Sequence, residues 1–212
     1  MDLYFSPLAC SMATRIALYE ANTSVNFIEV DSRSKTLVGD GSNFYAINPL
    51  GLVPVLRTDD GDILYENAAI LPYVADRIPG KLAGDGSLER SKVQQWLSFT
   101  GTELHKGLFT PLFSKTAPAE AKSYALKTAE SRFDYLDAAL TNRESLLDRF
   151  TIADAYLATI LHWTSALPEI PLDRWPAVKA YLKNMRNRPS MSRALKEEIE
   201  LYKIAQTRHQ AA

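Results

Sequence analysis

The sequence predicts two domains of different class, a small α/β domain followed by an all-α domain. Within the first eighty residues, apolar positions change between a spacing of two and a helical spacing, which is typical of alternating strands and helices. From Ser87 onward the spacing is helical and no convincing strand appears. We therefore expect domains over 1–80 and 87–212, joined by the glycine-containing linker 81–86.

The first domain is predicted to run β-α-β, then a connection, then β-β-α. Asp59-Asp60-Gly61-Asp62 marks the hairpin turn of the second half, and Pro79-Gly80 is expected to end the last helix. The expected elements are, in order, strand Leu3–Phe5, helix Cys10–Ala21, strand Val25–Val30, strands Val55–Arg57 and Ile63–Tyr65, and a helix from Glu66-Asn67 to about Arg77.

The second domain is predicted to contain only helices. Pro118 and Pro176 stand where a first helical turn tolerates proline. The tail Ile199–Ala212 continues past the last expected helix and ends polar, so its last residues are expected to fray. The expected helices are Leu88–Lys115, Ala119–Leu140, Ile152–Ala166, Trp175–Arg188 and Met191–Ala205.

The composition is that of an ordinary soluble globular protein. Of 212 residues, 46% are hydrophobic and 23% charged, and 24 basic residues nearly balance 25 acidic ones. This balance gives no reason to expect nucleic acid or an anionic membrane as a partner. A single cysteine excludes an internal disulfide, and neither a signal peptide nor a membrane-length apolar run is evident. We expect a cytoplasmic protein.

Cys10, the only cysteine, follows the first predicted strand and stands where the first helix begins. A thiol at a helix N-terminus has its pKa lowered by the helix dipole and unpaired N–H groups, which makes it a nucleophile candidate. The alternative is a buried structural cysteine, which is common for a lone cysteine. The local sequence leaves both open.

Two further positions are candidates for ligand binding. Pro54 opens a strand, and a cis Val53-Pro54 bond would turn the Val53 backbone outward toward a peptide-like ligand. Glu66-Asn67 opens a helix, where a carboxylate and fresh N–H groups can receive a group carrying both an ammonium and a carboxylate. Ordinary capping with Asn67 as the N-cap is the alternative.

Two motifs lie in the helical half. Thr151 and Asp154 have the spacing of a capping box, with Asp154 predicted to accept the Thr151 N–H. This role is structural, so Asp154→Ala is expected to impair folding. The run Glu103-Leu104-His105-Lys106-Gly107 contains the other candidate, His105, although a lone histidine is more often a surface or core residue.

Together these segments resemble the cytosolic glutathione transferases, most closely the bacterial beta class, in which cysteine replaces the tyrosine or serine of other classes. The resemblance rests on Leu3 to Ser11, on Ile47 to Leu56, and on the Glu-x-His-Lys-Gly run at Glu103, and it covers nearly all of the chain. It implies an N-terminal thioredoxin-like domain and a helical second domain, which is the glutathione transferase fold.

The resemblance also implies roles for individual residues. Cys10 and His105 would be catalytic at the sulfur of glutathione, which serves as co-substrate, and no metal is implied. The glutathione-binding residues would be Cys10, Lys35 at the glycyl carboxylate, Val53 and Pro54 at the cysteinyl backbone, Glu66 and Asn67 at the γ-glutamyl end, and Ser98, Thr102, Glu103 and His105 from the helical side. The hydrophobic substrate pocket would be lined by Phe109, Leu112, Phe113 and Trp163.

Two departures bear on these roles. The family more often has serine or glycine where Asn67 stands, and a related beta enzyme has asparagine where Ser98 stands. The task of Cys10 also stays open, because it could form a mixed disulfide or hydrogen-bond the bound thiolate. Tyr4, Ser6 and Ser11 could supply a hydroxyl instead, although Tyr4 suits a core strand position.

The leading function is conjugation of glutathione to small hydrophobic electrophiles by a homodimer, with glutathione-dependent thiol redox or peroxidase activity through Cys10 as a variant. Ala13 stands where a glutaredoxin usually has its second cysteine, which excludes dithiol exchange within one chain. The alternative is a non-catalytic relative that binds a hydrophobic ligand or a protein partner.

Overall fold

The computed structural model describes residues 1–78 and 80–211 and divides into two compact units. Unit 1 comprises Met1–Ile78 with Pro189–Ala212, and unit 2 comprises Pro79–Arg188. The expected helix end at Pro79 lies outside the described residues. No helix in the described ranges has the length and apolar content needed to cross a membrane.

Unit 1 is built on a four-stranded mixed sheet. Its strands β1 to β4 are Asp2–Phe5, Asn26–Glu29, Val55–Arg57 and Ile63–Tyr65, in the order β2-β1-β3-β4. β1 runs parallel to β2 and antiparallel to β3, and β3 pairs antiparallel with β4. The predicted thioredoxin-like arrangement of strands and hairpin is confirmed.

The helices of unit 1 cover this sheet with apolar faces. Helix α1 (Met12–Glu20) is buried over most of its length, since Met12 and Ile16 are fully inaccessible. A 3-10 turn at Phe44–Ala46 places Phe44 in a core cluster with Tyr4, Val30 and Val55. The remaining helices are α2 (Asn67–Ala75) and α8 (Pro189–Ala211).

A buried ion pair joins α8 to α1 in unit 1. Arg15 Nε donates to Glu198 Oε1 at 2.7 Å, and both side chains are almost inaccessible. The Arg15 guanidinium lies 4.3 Å from the ring centre of Phe5 and 3.8 Å from that of Phe27. A buried charge must be paired, so this contact holds α8 against α1.

The C-terminal helix α8 differs from the sequence prediction in its grouping and in its length. The sequence placed residues from Pro189 onward with the helical domain 87–212, whereas their contacts group them with unit 1. The expected helix end near Ala205 is wrong, because α8 continues to Ala211. The reason is tertiary: polar residues of the last turns bind partners in unit 1, as Arg208 does with Glu29.

Unit 2 is all-helical, as predicted. The helix expected over Leu88–Lys115 has a π-helical middle, whose wider turns follow from hydrogen bonds five residues apart. The elements of unit 2 are α3 (Gly86–Phe99), the π segment (Thr100–Phe109), α4 (Thr110–Phe113), α5 (Ala119–Leu140), α6 (Ile152–His162), 3-10 turns at Trp163–Ala166 and Leu172–Arg174, and α7 (Pro176–Asn187).

Asp154 organises the start of α6, the buried helix of unit 2. Its fully buried carboxylate accepts the Thr151 N–H at 2.8 Å in a capping box. It also accepts the Leu146 N–H at 2.8 Å and the Tyr181 hydroxyl at 3.1 Å. One side chain therefore ties the preceding loop and α7 to the helix start.

Asp154→Ala is expected to lower the free energy of unfolding by about 3 kcal/mol, because it leaves buried N–H and hydroxyl donors without an acceptor. Urea unfolding followed by circular dichroism measures the change. Asp148→Ala is the matched control, since the Asp148 side chain is fully exposed. Equal midpoints for the two variants would contradict the role given to Asp154.

Candidate active site

In unit 1 the loop between β1 and α1 carries Cys10. The loop turns at Leu8, whose φ of 59° is left-handed, and its N–H donates to Glu198 Oε2 at 2.7 Å. Cys10 lies just before Ser11, the N-cap of α1, and is 8% exposed. Its thiol donates to the Val53 carbonyl at 3.3 Å.

Asn67 holds the Cys10 loop from the first turn of α2. Its buried amide donates to the Cys10 carbonyl at 3.0 Å and accepts the Thr14 hydroxyl at 3.0 Å. The N-cap of α2 is Glu66, so capping by Asn67, the alternative considered from the sequence, is wrong. The Asn67 side chain thus serves the protein's own backbone.

The hydroxyls near Cys10 are committed to the fold. Ser6 Oγ donates to the Val30 carbonyl at 2.7 Å, and Ser11 Oγ donates to the Ser6 carbonyl at 3.3 Å. Tyr4 is 2% exposed and packs against Phe44 in the core, as its strand position suggested. Burial raises the pKa of Tyr4, which opposes its ionisation.

Glu66 has an unusual backbone. Its φ of 66° and ψ of 131° lie outside the regions that side chains other than glycine ordinarily adopt. Such conformations cost about 1–3 kcal/mol and cluster at functional sites. The cis Val53-Pro54 bond and this exposed residue at the start of α2 both belong to unit 1.

His105 lies in the π segment of unit 2. Its Nδ1 is 2.8 Å from the Tyr156 hydroxyl, and its ring packs edge-on against Trp163 with centroids 5.2 Å apart. Burial, aided by the nearby positive charge of Lys106, lowers the pKa of His105 to about 4. The imidazole is therefore neutral at pH 7 and can accept a proton or a hydrogen bond.

Aromatic residues form a cluster beside His105 in unit 2. Phe109 stacks on Phe113 with ring centres 6.1 Å apart, and Trp163 packs against both at 5.7 and 5.8 Å. Phe109 is fully buried, whereas Phe113 is 45% exposed. Three of the four residues predicted for the hydrophobic pocket therefore lie together, and Leu112 is half-buried beside Phe113 in α4.

The remaining predicted residues of the helical side occupy one stretch of chain. Thr102 Oγ1 donates to the Ser98 carbonyl at 3.0 Å, one turn earlier. Glu103 forms an ion pair with Arg132 at 2.7 Å. Ser98 and Thr102 are exposed and Glu103 is partly exposed, so all three are available to a ligand only in competition with these contacts and with water.

Family models for the N-terminal and C-terminal domains of glutathione S-transferases match residues 9–77 and 101–189. The glutathione S-transferase GstA of Escherichia coli O157:H7 is 39% identical over 201 residues, which are 93% of this chain and 98% of the relative. The chain belongs to the glutathione S-transferase family. The resemblance found in the sequence is thereby confirmed.

Solved structures agree with this assignment. A sphingomonad glutathione S-transferase complexed with glutathione matches with a TM-score of 0.87 and 38% identity, covering 93% of this chain and 98% of that one. A bacterial beta class glutathione S-transferase of Sphingomonas chungbukensis matches with a TM-score of 0.86, 38% identity and the same coverage. The predicted beta class likeness is confirmed. Among the described residues no group of His, Cys, Asp and Glu could hold a metal ion.

Two residues that shape the Cys10 loop of this transferase were missed by sequence analysis. Glu198 binds the Leu8 N–H but stands 190 positions away, so no local pattern marks it. Thr14 is the hydroxyl partner of Asn67 and stands 53 positions before it. Asn67 was predicted as a ligand residue, and its polar side chain at a helix start was the only available signal.

Gly107 makes the π segment of this transferase testable. A Cβ at Gly107 would lie 2.8 Å from the Thr102 carbonyl oxygen, so Gly107→Ala must displace backbone two residues from His105. We expect a loss of about 1–3 kcal/mol in unfolding free energy and a shifted His105 imidazole resonance by NMR. Gly101→Ala is the control, because its nearest neighbours are 3.8 Å away and alanine favours a helix. Equal behaviour of the two variants would refute this account.

Proposed function

We propose that this chain conjugates the thiolate of glutathione to small hydrophobic electrophiles. The observation that supports the proposal is the Cys10 loop of unit 1. The thiol of the only cysteine donates a hydrogen bond to the Val53 carbonyl, and the Asn67 amide donates one to the Cys10 carbonyl. A tripeptide backbone can pair with Val53 while its sulfur lies beside the Cys10 thiol. The membership of the glutathione S-transferase family supports this ligand.

Glu66 is proposed to bind the γ-glutamyl ammonium. Its carboxylate is exposed, and its strained backbone places it directly before the first-turn N–H groups of α2. Those N–H groups attract the γ-glutamyl carboxylate. Because the Asn67 side chain is already bonded, the proposed contribution of Asn67 is its backbone N–H. Lys35 is proposed to meet the glycyl carboxylate.

The role of Cys10 is proposed to be twofold. Its thiol can hydrogen-bond the thiolate of bound glutathione and so favour ionisation of that sulfur. With oxidised glutathione, the Cys10 thiolate would attack one sulfur, form a Cys10–glutathione disulfide and release one glutathione thiolate. The thiolate of a second glutathione would attack the glutathione sulfur of that disulfide, forming oxidised glutathione and releasing the Cys10 thiolate.

The contributions of unit 2 stay predictions. His105 is neutral at pH 7, so it can take a thiol proton as a base or donate to a thiolate, and its charge does not change between pH 6 and 8. Phe109, Leu112, Phe113 and Trp163 remain the predicted contacts of the electrophile. Ser98, Thr102 and Glu103 remain predicted glutathione contacts.

The first test is the intact mass of the chain after incubation with oxidised glutathione. We expect one glutathione adduct on the parent and none on Cys10→Ala, because no other cysteine exists. Cys10→Ser is the matched variant, since it keeps a hydrogen-bond donor of similar size. An adduct that persisted in Cys10→Ala would refute the mixed disulfide.

The second readout on the same proteins is conjugation of an aryl halide at saturating glutathione. His105→Ala is expected to lower kcat by about 10²–10⁴-fold if the imidazole transfers the proton. Glu66→Gln is expected to raise KM for glutathione with a smaller change in kcat. A parent with neither adduct nor conjugation would overturn the enzyme proposal and leave a binding protein on this fold.

We also propose that the chain forms a homodimer through an apolar surface of unit 1. Tyr45, Leu50, Leu52 and Tyr65 are each at least 40% exposed, and Leu50 reaches 71%. They belong to neighbouring segments, since Tyr65 donates to the Ile47 carbonyl and Gly51 lies against the Tyr45 ring. A second copy is the occupant that family membership favours.

Light scattering coupled to size exclusion tests this surface. The parent is expected to elute with twice the chain mass, and Leu50→Glu with the mass of one chain, because a buried unpaired carboxylate is costly. Leu88→Glu is the control, as Leu88 is 70% exposed in α3 of unit 2. A monomeric parent would refute the proposal.

A further inference from the structure

The loop that carries Lys35 is organised by a single carboxylate. This Lys35 loop, residues 31–43, begins at Asp31, whose Oδ1 accepts the N–H groups of Arg33 at 2.9 Å and Ser34 at 3.0 Å. The Lys35 N–H donates to the Asp31 carbonyl at 3.0 Å, and Lys35 itself has a left-handed φ of 57°. The backbone position of Lys35 therefore depends directly on Asp31.

The other oxygen of that carboxylate is bound by the end of α8. Arg208 Nη1 donates to Asp31 Oδ2 at 3.1 Å, and His209 Nε2 lies 2.7 Å from the same oxygen. Arg208 Nη2 donates to Glu29 Oε1 at 3.1 Å, so one guanidinium bridges two carboxylates. In return, Arg33 Nη1 donates to the His209 carbonyl at 3.3 Å.

The Asp31 carboxylate that Arg208 binds is buried, so the loss of this contact would be costly. Asp31 is 6% exposed and Glu29 is mostly buried. Burial alone would raise the pKa of Asp31, but the hydrogen bonds from Ser34, Arg33, His209 and Arg208 hold it well below its ordinary range. A carboxylate that stays ionised in a buried place needs a cation, and without Arg208 it would repel Glu29.

We propose that Arg208 and His209 are positioning residues for Lys35, so that the end of α8 controls the binding of the glycyl carboxylate of glutathione. This inference rests on the proposed function. The two residues hold Asp31 Oδ2, which fixes the carboxylate whose Oδ1 shapes the turn before Lys35. Lys35 then presents its charge from a set backbone position.

The test is isothermal titration of glutathione into Arg208→Met, which removes the charge and keeps the aliphatic stem. We expect Kd to rise about tenfold, the loss of one charged contact. Arg208→Lys keeps a charge without the bridging geometry and is expected to recover part of the affinity. Lys203→Met is the control on the same helix, because Lys203 is exposed and pairs with Glu200.

Two comparisons separate positioning from simple stabilisation. The effect of Arg208→Met should vanish in the Lys35→Met background, and it should vanish when the ligand is γ-glutamylcysteine, which lacks the glycyl residue. A purely structural role would lower the melting temperature while leaving glutathione affinity unchanged below it. Equal losses for both ligands, or losses that add to those of Lys35→Met, would overturn the inference.

The outcome for the parent distinguishes the two levels of the proposal. A parent that does not bind glutathione overturns the proposed function, and the inference falls with it. If the parent binds glutathione and both Arg208→Met and Arg208→Lys bind it with the same Kd as the parent, the inference alone is overturned.

Discussion

The buried ion pair between Arg15 and Glu198 is the interaction on which unit 1 depends. Both side chains lie nearly out of reach of water, and Arg15 also pairs with Glu197 at 3.2 Å. Burial raises the pKa of Glu198 to about 7, and the Arg15 charge opposes that rise. Glu198 uses its second oxygen for the Leu8 N–H, two residues before Cys10. The C-terminal helix thus supports the backbone that presents the thiol, and removing Glu198 would leave the Leu8 N–H without its acceptor.

The C-terminal end of the same helix supports a second loop, the Lys35 loop. Its last turns bind Asp31, whose carboxylate is shared between the helix and the turn that leads to Lys35. Helix α8 therefore contacts two of the segments of unit 1 for which we propose glutathione contacts, the Cys10 loop and the Lys35 loop. The carboxylates of Glu198 and Asp31 that accept these hydrogen bonds are buried, and a buried polar group left without a partner is costly, so the contacts fix the geometry of both loops.

In unit 2 the candidate residue His105 is positioned by the π segment. The π segment widens the helix at Gly107, where no Cβ obstructs the Thr102 carbonyl, and His105 lies within this segment. Tyr156 and Trp163 then hold the ring, and burial keeps it neutral. A neutral, oriented imidazole can accept or donate a hydrogen bond near neutral pH, but a pKa of about 4 makes it a weak base there.

The sequence by itself determined the fold class, the strands and hairpin of unit 1, the helix Ala119–Leu140 to the residue, and the family, because these depend on local periodicity, turn chemistry and short motifs. The Thr151–Asp154 spacing belongs to the same group. Only the tertiary structure decided the environment of Asn67, the continuation of α8 to Ala211 and its grouping with unit 1. It also decided the π-helical turns around His105. Each of these features depends on a steric contact at backbone level or on a partner that is distant in sequence. Asp31 is such a partner for Arg208, and Glu198 is one for Leu8. Hydrophobic periodicity carries no information about which distant polar groups will meet.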